Sequence, residues 1–513
     1  MQELFQTLVN QLYSNWEWIV VDDGSSDPST IATLRALAAR DKRIRLFVNS
    51  KNKGISAASN IAIRGATGTH AALVDHDDLI SRTAFLAVYE AWKRFPSTQL
   101  FFTDECKLLP NDELDDFWAK PAWSPAYLEN TMCVGHLAVY ELRFLRELGG
   151  FRSEYDGTQD FDLALRGSLT NPRVVHLPVF AYLWRAIPGS AALKLEEKSY
   201  ALQRQGKAVL EYARRKNPAA AVVLGCAPGY WRIIYPLPTP APLLSYIIMA
   251  GRDSCATGAE IDVAACVRSF EDRNFYPNRE YIVVHNGTLT RQECYLLETL
   301  EDVRVLNSAA PHFNFSQAAN TGVAEARGSY ICVLDANVAA ITRRGGEELI
   351  SYLVANPNVG LIGPLCLNED QTIEQNGMML LGEFGPAHAG HGRHRLFGGH
   401  HGNLRCRRET FAVGSTALFI RKKYFETIGG FSEDLGDGFC DVDLCVRLRN
   451  RGLSCVVDPV VEVYRSECKA TIGKDTEQER LFQRHPGLND PYFGPWFRQD
   501  SPYYLIHLDR DNL

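Results

Sequence analysis

Up to residue 225, short apolar runs alternate with longer stretches whose apolar positions recur at helical spacing. WIVV (18–21), IRLFV (44–48), HAALV (70–74) and QLFFT (99–103) predict strands. Between them, 29–40 opens on Ser/Thr and repeats Ile31, Leu34 and Leu37, and 81–95 behaves alike; both predict helices. ELFQTLVNQL carries Leu4, Leu8 and Leu12 on one helical face. Strands alternating with helices predict an α/β fold with a mainly parallel, Rossmann-like sheet covered on both faces. Ligands of such sheets bind beyond the C-terminal strand ends. VVDDGS (20–25) and LVDHDD (73–78) place acids at two such ends.

The pattern then starts again. WEWIVVDDGSS (16–26) returns as REYIVVHNGT (279–288), and SNIAIRGATGTHAALVDHDD (59–78) as ANTGVAEARGSYICVLDANV (319–338). LGGF (148–151) returns as IGGF (428–431), and QDFDLALR (159–166) as CDVDLCVR (440–447). Four segments recurring in order, at offsets of 260 to 281, predict two copies of one domain. Prolines 228, 236, 238, 240 and 242 mark a stiff connector with no hydrogen-bond ladder. The expected division is a first domain at 1–225, a linker at 226–241, a second domain at 242–475 and an aromatic-rich tail at 476–513. The second copy opens with a buried strand within PLLSYIIMAGRD (242–253) that has no counterpart in the first. By the repeat offset, the first copy lacks its N-terminal strand.

The length of 513 residues exceeds one ordinary core and agrees with two domains. A net charge of −7 argues against a nucleic-acid partner. The start lacks the basic and apolar regions of a signal peptide, and no apolar run reaches membrane-spanning length. The 13 cysteines are scattered without a CxxC pair and read as reduced thiols. The expected location is the cytoplasm, with at most peripheral attachment at the inner face of the cell membrane.

In LVDHDD, Asp75, Asp77 and Asp78 crowd three carboxylates into one strand end. Two readings stay open on the residues alone: an acidic turn, which Asp favours, or oxygen ligands for a hard cation.

Taken together, NQLYSNWEWIVVDDGSSD, NKGISAASNIAIRGATGTHAALVDHDDLI, GGF and QDFDLALR resemble family 2 glycosyltransferases of the GT-A fold. The second copy, through YPNREYIVVHNGT, FNFSQAANTGVAEARGSY and FCDVDLCVRLRNRG, resembles a related branch. The resemblance covers almost the whole chain and is similar to that of bacterial O-antigen and capsule enzymes. It implies inverting transfer of a sugar from a nucleotide-diphosphate donor, UDP- or dTDP-linked, to a saccharide or lipid-linked glycan acceptor. It implies a divalent cation, Mg2+ or Mn2+, on Asp75 and Asp77. Asp22, Asp23, Asn52, Gly54 and Asp78 would bind the nucleotide sugar. Asp160 and Asp441 would be the catalytic bases, and Asp162 and Asp443 would lie toward the acceptor or diphosphate, as would Trp184 and Arg185. Helix capping and simple packing are the alternatives for these last groups.

The copies depart from the family pattern. In FAYLWRAIPGSAA (180–192), Leu183 stands where the family has a metal-binding histidine; in VYRSE (463–467), Arg465 is expected at that place. The second copy offers only Asp335 and Asn337 to a metal, and His285 and Asn286 to a nucleotide. It also holds His388, His391, His394, His400 and His401 in a Gly-rich stretch, read as a loop in preference to a zinc site. A catalytically degenerate nucleotide-sugar-binding scaffold is the alternative to a transferase. A metal-dependent nucleotidyltransferase would leave QDFDLALR unexplained.

Overall fold

The computed structural model describes residues 1–186, 199–251, 262–273, 276–308, 313–435, 438–466 and 475–508. Two compact units emerge: Met1–Ile233 and Ile234–Phe493. Of the tail, Gly494–Trp496 and Ile506–Leu508 belong with the first unit, and Phe497–Leu505 with the second.

The first unit begins α1 (Gln2–Val9), β1 (Trp18–Asp22), α2 (Pro28–Arg40), β2 (Ile44–Val48), α3 (Ile55–Gly65), β3 (His70–Ala72), β4 (Leu79–Ile80) and α4 (Ala84–Arg94). It continues β5 (Leu100–Leu108), β6 (Leu114–Trp118), α5 (Pro125–Leu128), β7 (Ala138–Glu141), α6 (Leu142–Glu147), α7 (Gln159–Ser168) and β8 (Val174–Arg185). α8 (Ser199–Lys216), β9 (Ala221–Leu224) and β10 (Trp231–Ile234) follow. β9 and β10 pair, so the stretch expected to be a connector without a ladder includes a strand.

Local chemistry sets these boundaries. The Asp27 side chain accepts the Ser29 amide at 2.8 Å and Pro28 occupies the first turn, which starts α2. α1 buries Leu4, Phe5 and Leu8, but it ends at Val9, so Leu12 falls beyond the helix and is exposed. Leu4 and Leu8 pack with Ile80, Ala84, Phe101 and Val139, whereas Phe5 packs with Val20, Leu34, Leu37 and Ile44. One short helix therefore joins two apolar clusters.

The second unit runs β11 (Leu244–Met249), α9 (Val263–Asp272), β12 (Arg279–His285), α10 (Arg291–Glu298), β13 (Val303–Asn307), α11 (Phe315–Glu325), β14 (Tyr330–Asp335) and β15 (Val338–Ala340). Next come α12 (Gly345–Ala355), β16 (Val359–Leu367), β17 (Ile373–Gln375), β18 (Met378–Leu381), β19 (Gly385–His388) and β20 (Arg408–Glu409). β21 (Ala417–Arg421), α13 (Lys422–Thr427), α14 (Cys440–Arg449), β22 (Ser454–Arg465) and α15 (Asp475–Arg484) complete it. Its main sheet has the order β13-β12-β11-β14-β21-β16-β22-β15. The pairings from β13 to β14 are parallel; β21 then enters antiparallel to both β14 and β16, which makes the sheet mixed.

Every residue of β11 is buried, and it pairs along its length with β12 on one side and β14 on the other. In the first unit no described strand takes that place. Among the described strands β1 pairs only with β2, and β3 belongs to a separate sheet of order β3-β7-β5-β8-β4. The acid-bearing ends of β1 and β3 thus stand on two sheets rather than one.

The recurring motifs have one structural explanation in both units. The Asn60 amide donates to the Phe151 carbonyl at 2.8 Å and its oxygen accepts the Phe151 amide at 2.9 Å. Asn320 does the same with Phe431, at 2.9 Å each way. Arg166 donates to the Leu148 and Gly150 carbonyls at 2.6 and 2.7 Å, as Arg447 does to Ile428 and Gly430. Gly150 and Gly430 have φ of +68° and +70° and face those asparagines, a conformation and a space that suit glycine. The GGF turn is thereby bolted to the helix that follows it.

Candidate active site

In the first unit, Asp22 and Asp23 close β1. Asp22 is buried and accepts the Ser25 amide at 3.4 Å. Asp23 accepts the Lys53 and Gly54 amides at 2.9 and 2.8 Å on one oxygen and the Asn49 side chain at 2.7 Å on the other. Desolvation works against its charge, but these donors outweigh it and hold the carboxyl below the usual range. Asn52 accepts the Gly54 amide at 3.1 Å, and Gly54, at φ +92°, caps α3 where a Cβ would collide with Asp156. The pair of acids shapes the loop that opens α3.

The LVDHDD segment splits its three acids. Asp75 is exposed and Asp77 partly so, whereas Asp78 is 2% exposed. Asp78 accepts the Tyr182 hydroxyl at 2.5 Å and the Arg185 amide at 2.8 Å. Burial pushes its carboxyl up to about 6, against the pull of those donors. Tyr182 also accepts the Asp75 amide at 3.2 Å, and the Arg185 guanidinium donates to the Asp77 carbonyl at 2.8 Å and pairs with Glu3. Asp78 therefore anchors the segment from inside, while Asp75 and Asp77 remain toward solvent.

Beneath this segment lies a charged group that the sequence reading missed. Glu105 is buried on β5; its carboxylate accepts the His136 ring Nδ1 at 3.0 Å and the Lys120 ammonium at 3.3 Å. Lys120 also donates to the Thr103, Gly135 and His136 carbonyls, each at 2.8 Å. Burial raises the Glu105 carboxyl, yet Lys120 and His136 hold it down to about 2. Burial likewise opposes the His136 imidazolium, but Glu105 first, then Asp75 and Asp160, push it up to about 9. The ring is half-buried and stacks on Tyr182, centroids 4.7 Å apart, with Trp184 tilted at 5.3 Å. The available signal was the acid pair in QLFFTDECKLL, since charges in a buried strand require partners.

α7 presents Asp160 and Asp162 differently. Asp160 is half-buried; desolvation raises its carboxyl, opposed by His136 and by the Phe161 amide at 2.8 Å, with Asp75 adding to the rise. Asp162 is 1% exposed and holds Arg152 and Arg166, the latter at 3.0 Å. It is the anchor of the arginine that clamps the GGF turn. Asp75, His136 and Asp160 thus come together from three segments; Asp162 does not join them.

The second unit has a different arrangement at most of the equivalent places. His285 is buried and its Nδ1 accepts the Gly287 and Leu289 amides at 3.2 and 3.4 Å, so the ring is neutral, and burial holds its pKa low. Asn286 turns its Oδ1 inward, where no described residue donates to it. Asp335 is buried and bonded by the Arg465 guanidinium at 3.0 Å; the same guanidinium reaches Glu374 at 2.8 Å. Asp441 is buried and accepts the Ser415 and Val442 amides at 2.9 and 2.8 Å. Asp443 matches Asp162: its charge is opposed by burial and kept by Ser432, Arg447 and His485.

Strand register corrects one expected equivalence. Leu79 pairs with Leu183, whereas Val338 pairs with Arg465 and Ala339 with Tyr464. At the offset of 260 Leu79 corresponds to Ala339, so Arg465 corresponds to Trp184 and Tyr464 to Leu183. The motif alignment was one residue out because it set Tyr464 against Tyr182, an identity that the strand register does not keep.

Asp75 and Asp77 are open oxygen donors and fit a hard divalent cation completed by phosphate and water. Asp335, bound to a guanidinium, and the neutral Asn337 do not fit one. Among the described residues no three His, Cys, Asp or Glu side chains form a metal cluster by themselves. In the Gly-rich stretch, His391 contacts the Glu374 carbonyl at 3.0 Å, and His394 accepts the Leu396 amide at 3.3 Å. No described helix is long and apolar enough to cross a membrane.

The pattern of glycosyl transferase family 2 matches residues 1–149 and 256–428, and the chain belongs to that family. It is 34% identical over 491 residues to an uncharacterized protein of Sinorhizobium fredii, covering 93% of this chain and 52% of the relative. It is 28% identical over 513 residues to the O-antigen biosynthesis protein RfbC of Myxococcus xanthus, covering 99% of this chain and 39% of that one. The chain thus spans about half the length, or less, of these relatives. A solved structure of GalNAc-T7 with UDP, GalNAc and Mn2+ aligns with 50% of this chain and 49% of its own, at 14% identity and a TM-score of 0.38.

Proposed function

We propose that this member of glycosyl transferase family 2 moves a sugar from a nucleoside-diphosphate donor to a saccharide hydroxyl during synthesis of a bacterial surface polysaccharide, with the first unit as the transfer site. The observation that carries this reading is the meeting of Asp75, His136 and Asp160: both carboxylates favour the His136 imidazolium, while His136 and Asp75 act in opposite directions on Asp160. The match to an O-antigen biosynthesis protein along nearly the whole chain supports the pathway class.

Asp160 is the base. Its raised carboxyl suits it to take the acceptor hydroxyl's proton as oxygen attacks the anomeric carbon. The bond to the diphosphate breaks with its electron pair leaving on the phosphate oxygen, and the configuration inverts. Asp75 and Asp77 would hold Mg2+ or Mn2+, which would offset the charge of the departing diphosphate. The His136 imidazolium, kept charged by Glu105, adds fixed positive charge beside them. Asp22, Asp23, Asn52 and Gly54 frame the nucleotide end, and Trp184 and Arg185 wall the site. The acceptor is a saccharide or a lipid-linked glycan, met at the inner face of the cell membrane.

The second unit is read as a binding unit without turnover, because Arg465 occupies the carboxylate of Asp335. Nucleotide release from UDP- and dTDP-sugars, with Mn2+ or Mg2+ and with EDTA, tests the first-unit reading. Chelation should stop turnover, and Asp75→Asn combined with Asp77→Asn should lower it about 100-fold or more, on the scale of a lost electrostatic contact in the transition state. Turnover indifferent to both would overturn it.

A further inference from the structure

The second unit has the same strand ends as the first but a different charge pattern. Asp335 ends β14, Arg465 ends β22, and Glu374 lies on β17. All three side chains are about 3% exposed. The Arg465 fork reaches Asp335 Oδ2 through Nη2 at 3.0 Å and Glu374 Oε1 through Nη1 at 2.8 Å. In the first unit the equivalent residue is Trp184, and among the described residues no arginine side chain bonds Asp75.

We propose that the second unit takes up no divalent cation, because the Arg465 guanidinium stands permanently where the cation would sit. A guanidinium stays charged at any working pH and, held by two carboxylates, is rigid. A dication approaching Asp335 would meet that fixed charge at close range in a water-poor site, where repulsion is weakly screened. The second carboxylate is also gone: Asn337 replaces Asp77 with a neutral oxygen. Arg465 and Glu374 act as a pair: the second carboxylate keeps the guanidinium in place when Asp335 alone would share it. The inference rests on the reading of Asp75 and Asp77 as cation ligands only for the contrast between the units.

Electron paramagnetic resonance counts the UDP-dependent Mn2+ bound per full-length chain. The expected count is one for the natural sequence and zero for Asp75→Asn combined with Asp77→Asn, positions open enough to be replaced without loss of fold. A count of two, falling to one in that double variant, overturns the proposal and leaves the first-unit reading intact. A count of one unchanged in the double variant overturns both. A count of zero in the natural sequence overturns the first-unit reading and upholds the absence of a cation in the second. Asp335→Asn provides an independent arm: the count should not move, and a fall would overturn the proposal.

Discussion

The Tyr182 hydroxyl donates to the buried carboxylate of Asp78 at 2.5 Å, across 104 residues of chain. It separates one acid of LVDHDD from the other two. Replacing Tyr182 with Phe leaves a buried oxygen short of a donor, a loss of about 1–3 kcal/mol. The sign of its pH dependence follows from Asp78, whose folded carboxyl is pushed to about 6 from an ordinary value of 3.8. From this group alone, stability is greatest below 3.8 and declines as pH rises toward 6. The hydroxyl serves the ionised form, so Tyr182→Phe should cost more at pH 7.5 than at pH 4.5 in urea unfolding. Equal costs would mean that the hydrogen bond does not support the charge.

The Glu105–His136 pair sets a stability window. Glu105 is held at about 2 against an ordinary value of 4.5, so its contribution is complete above 4.5 and is lost as pH falls toward 2. His136 is raised to about 9 from 6.5, so its contribution is complete below 6.5 and is lost as pH climbs through 9. Thermal midpoints should therefore be highest between these limits. Glu105→Gln should flatten the alkaline limb and lower the His136 midpoint in an NMR titration. A histidine that titrates as before in Glu105→Gln would contradict the coupling.

Asp162 and Asp443 are predicted to matter for folding rather than transfer. Each holds the arginine that clamps a GGF turn, and removing one partner of a buried pair costs about 3–5 kcal/mol. Asp162→Asn and Asp443→Asn should lower the denaturation midpoint, while the residual folded enzyme keeps its turnover number. A variant with a normal midpoint and lost turnover would place the residue at the chemistry instead.

The strands were legible wherever apolar runs alternated with helices, as the match of IRLFV to β2 illustrates. Asp160 and Asp441, expected just before a helix, lie within the first turns of α7 and α14. What escaped was long-range pairing. Nothing local tells Asp78 from Asp77, because the difference is made by Tyr182; nothing near Asp335 announces Arg465, 130 residues away. His136 escaped because comparing copies highlights what recurs, and Ser415 and Thr416 stand in its neighbourhood in the second copy. The expected parallel sheet held as far as β14 and then met β21, whose reversed direction no periodicity in the sequence encodes.

The claim that the first unit performs the transfer with Asp160 as base is tested most directly by comparing Asp160→Asn with Asp441→Asn. Each substitution is nearly isosteric and removes only the carboxylate. Turnover of nucleotide sugar is measured for both, with thermal midpoints recorded in parallel. Asp160→Asn should lower kcat by about 100-fold or more, the range of a lost general base, while Asp441→Asn leaves it unchanged. Full activity in Asp160→Asn, with loss in Asp441→Asn, would contradict the account and move the chemistry to the second unit.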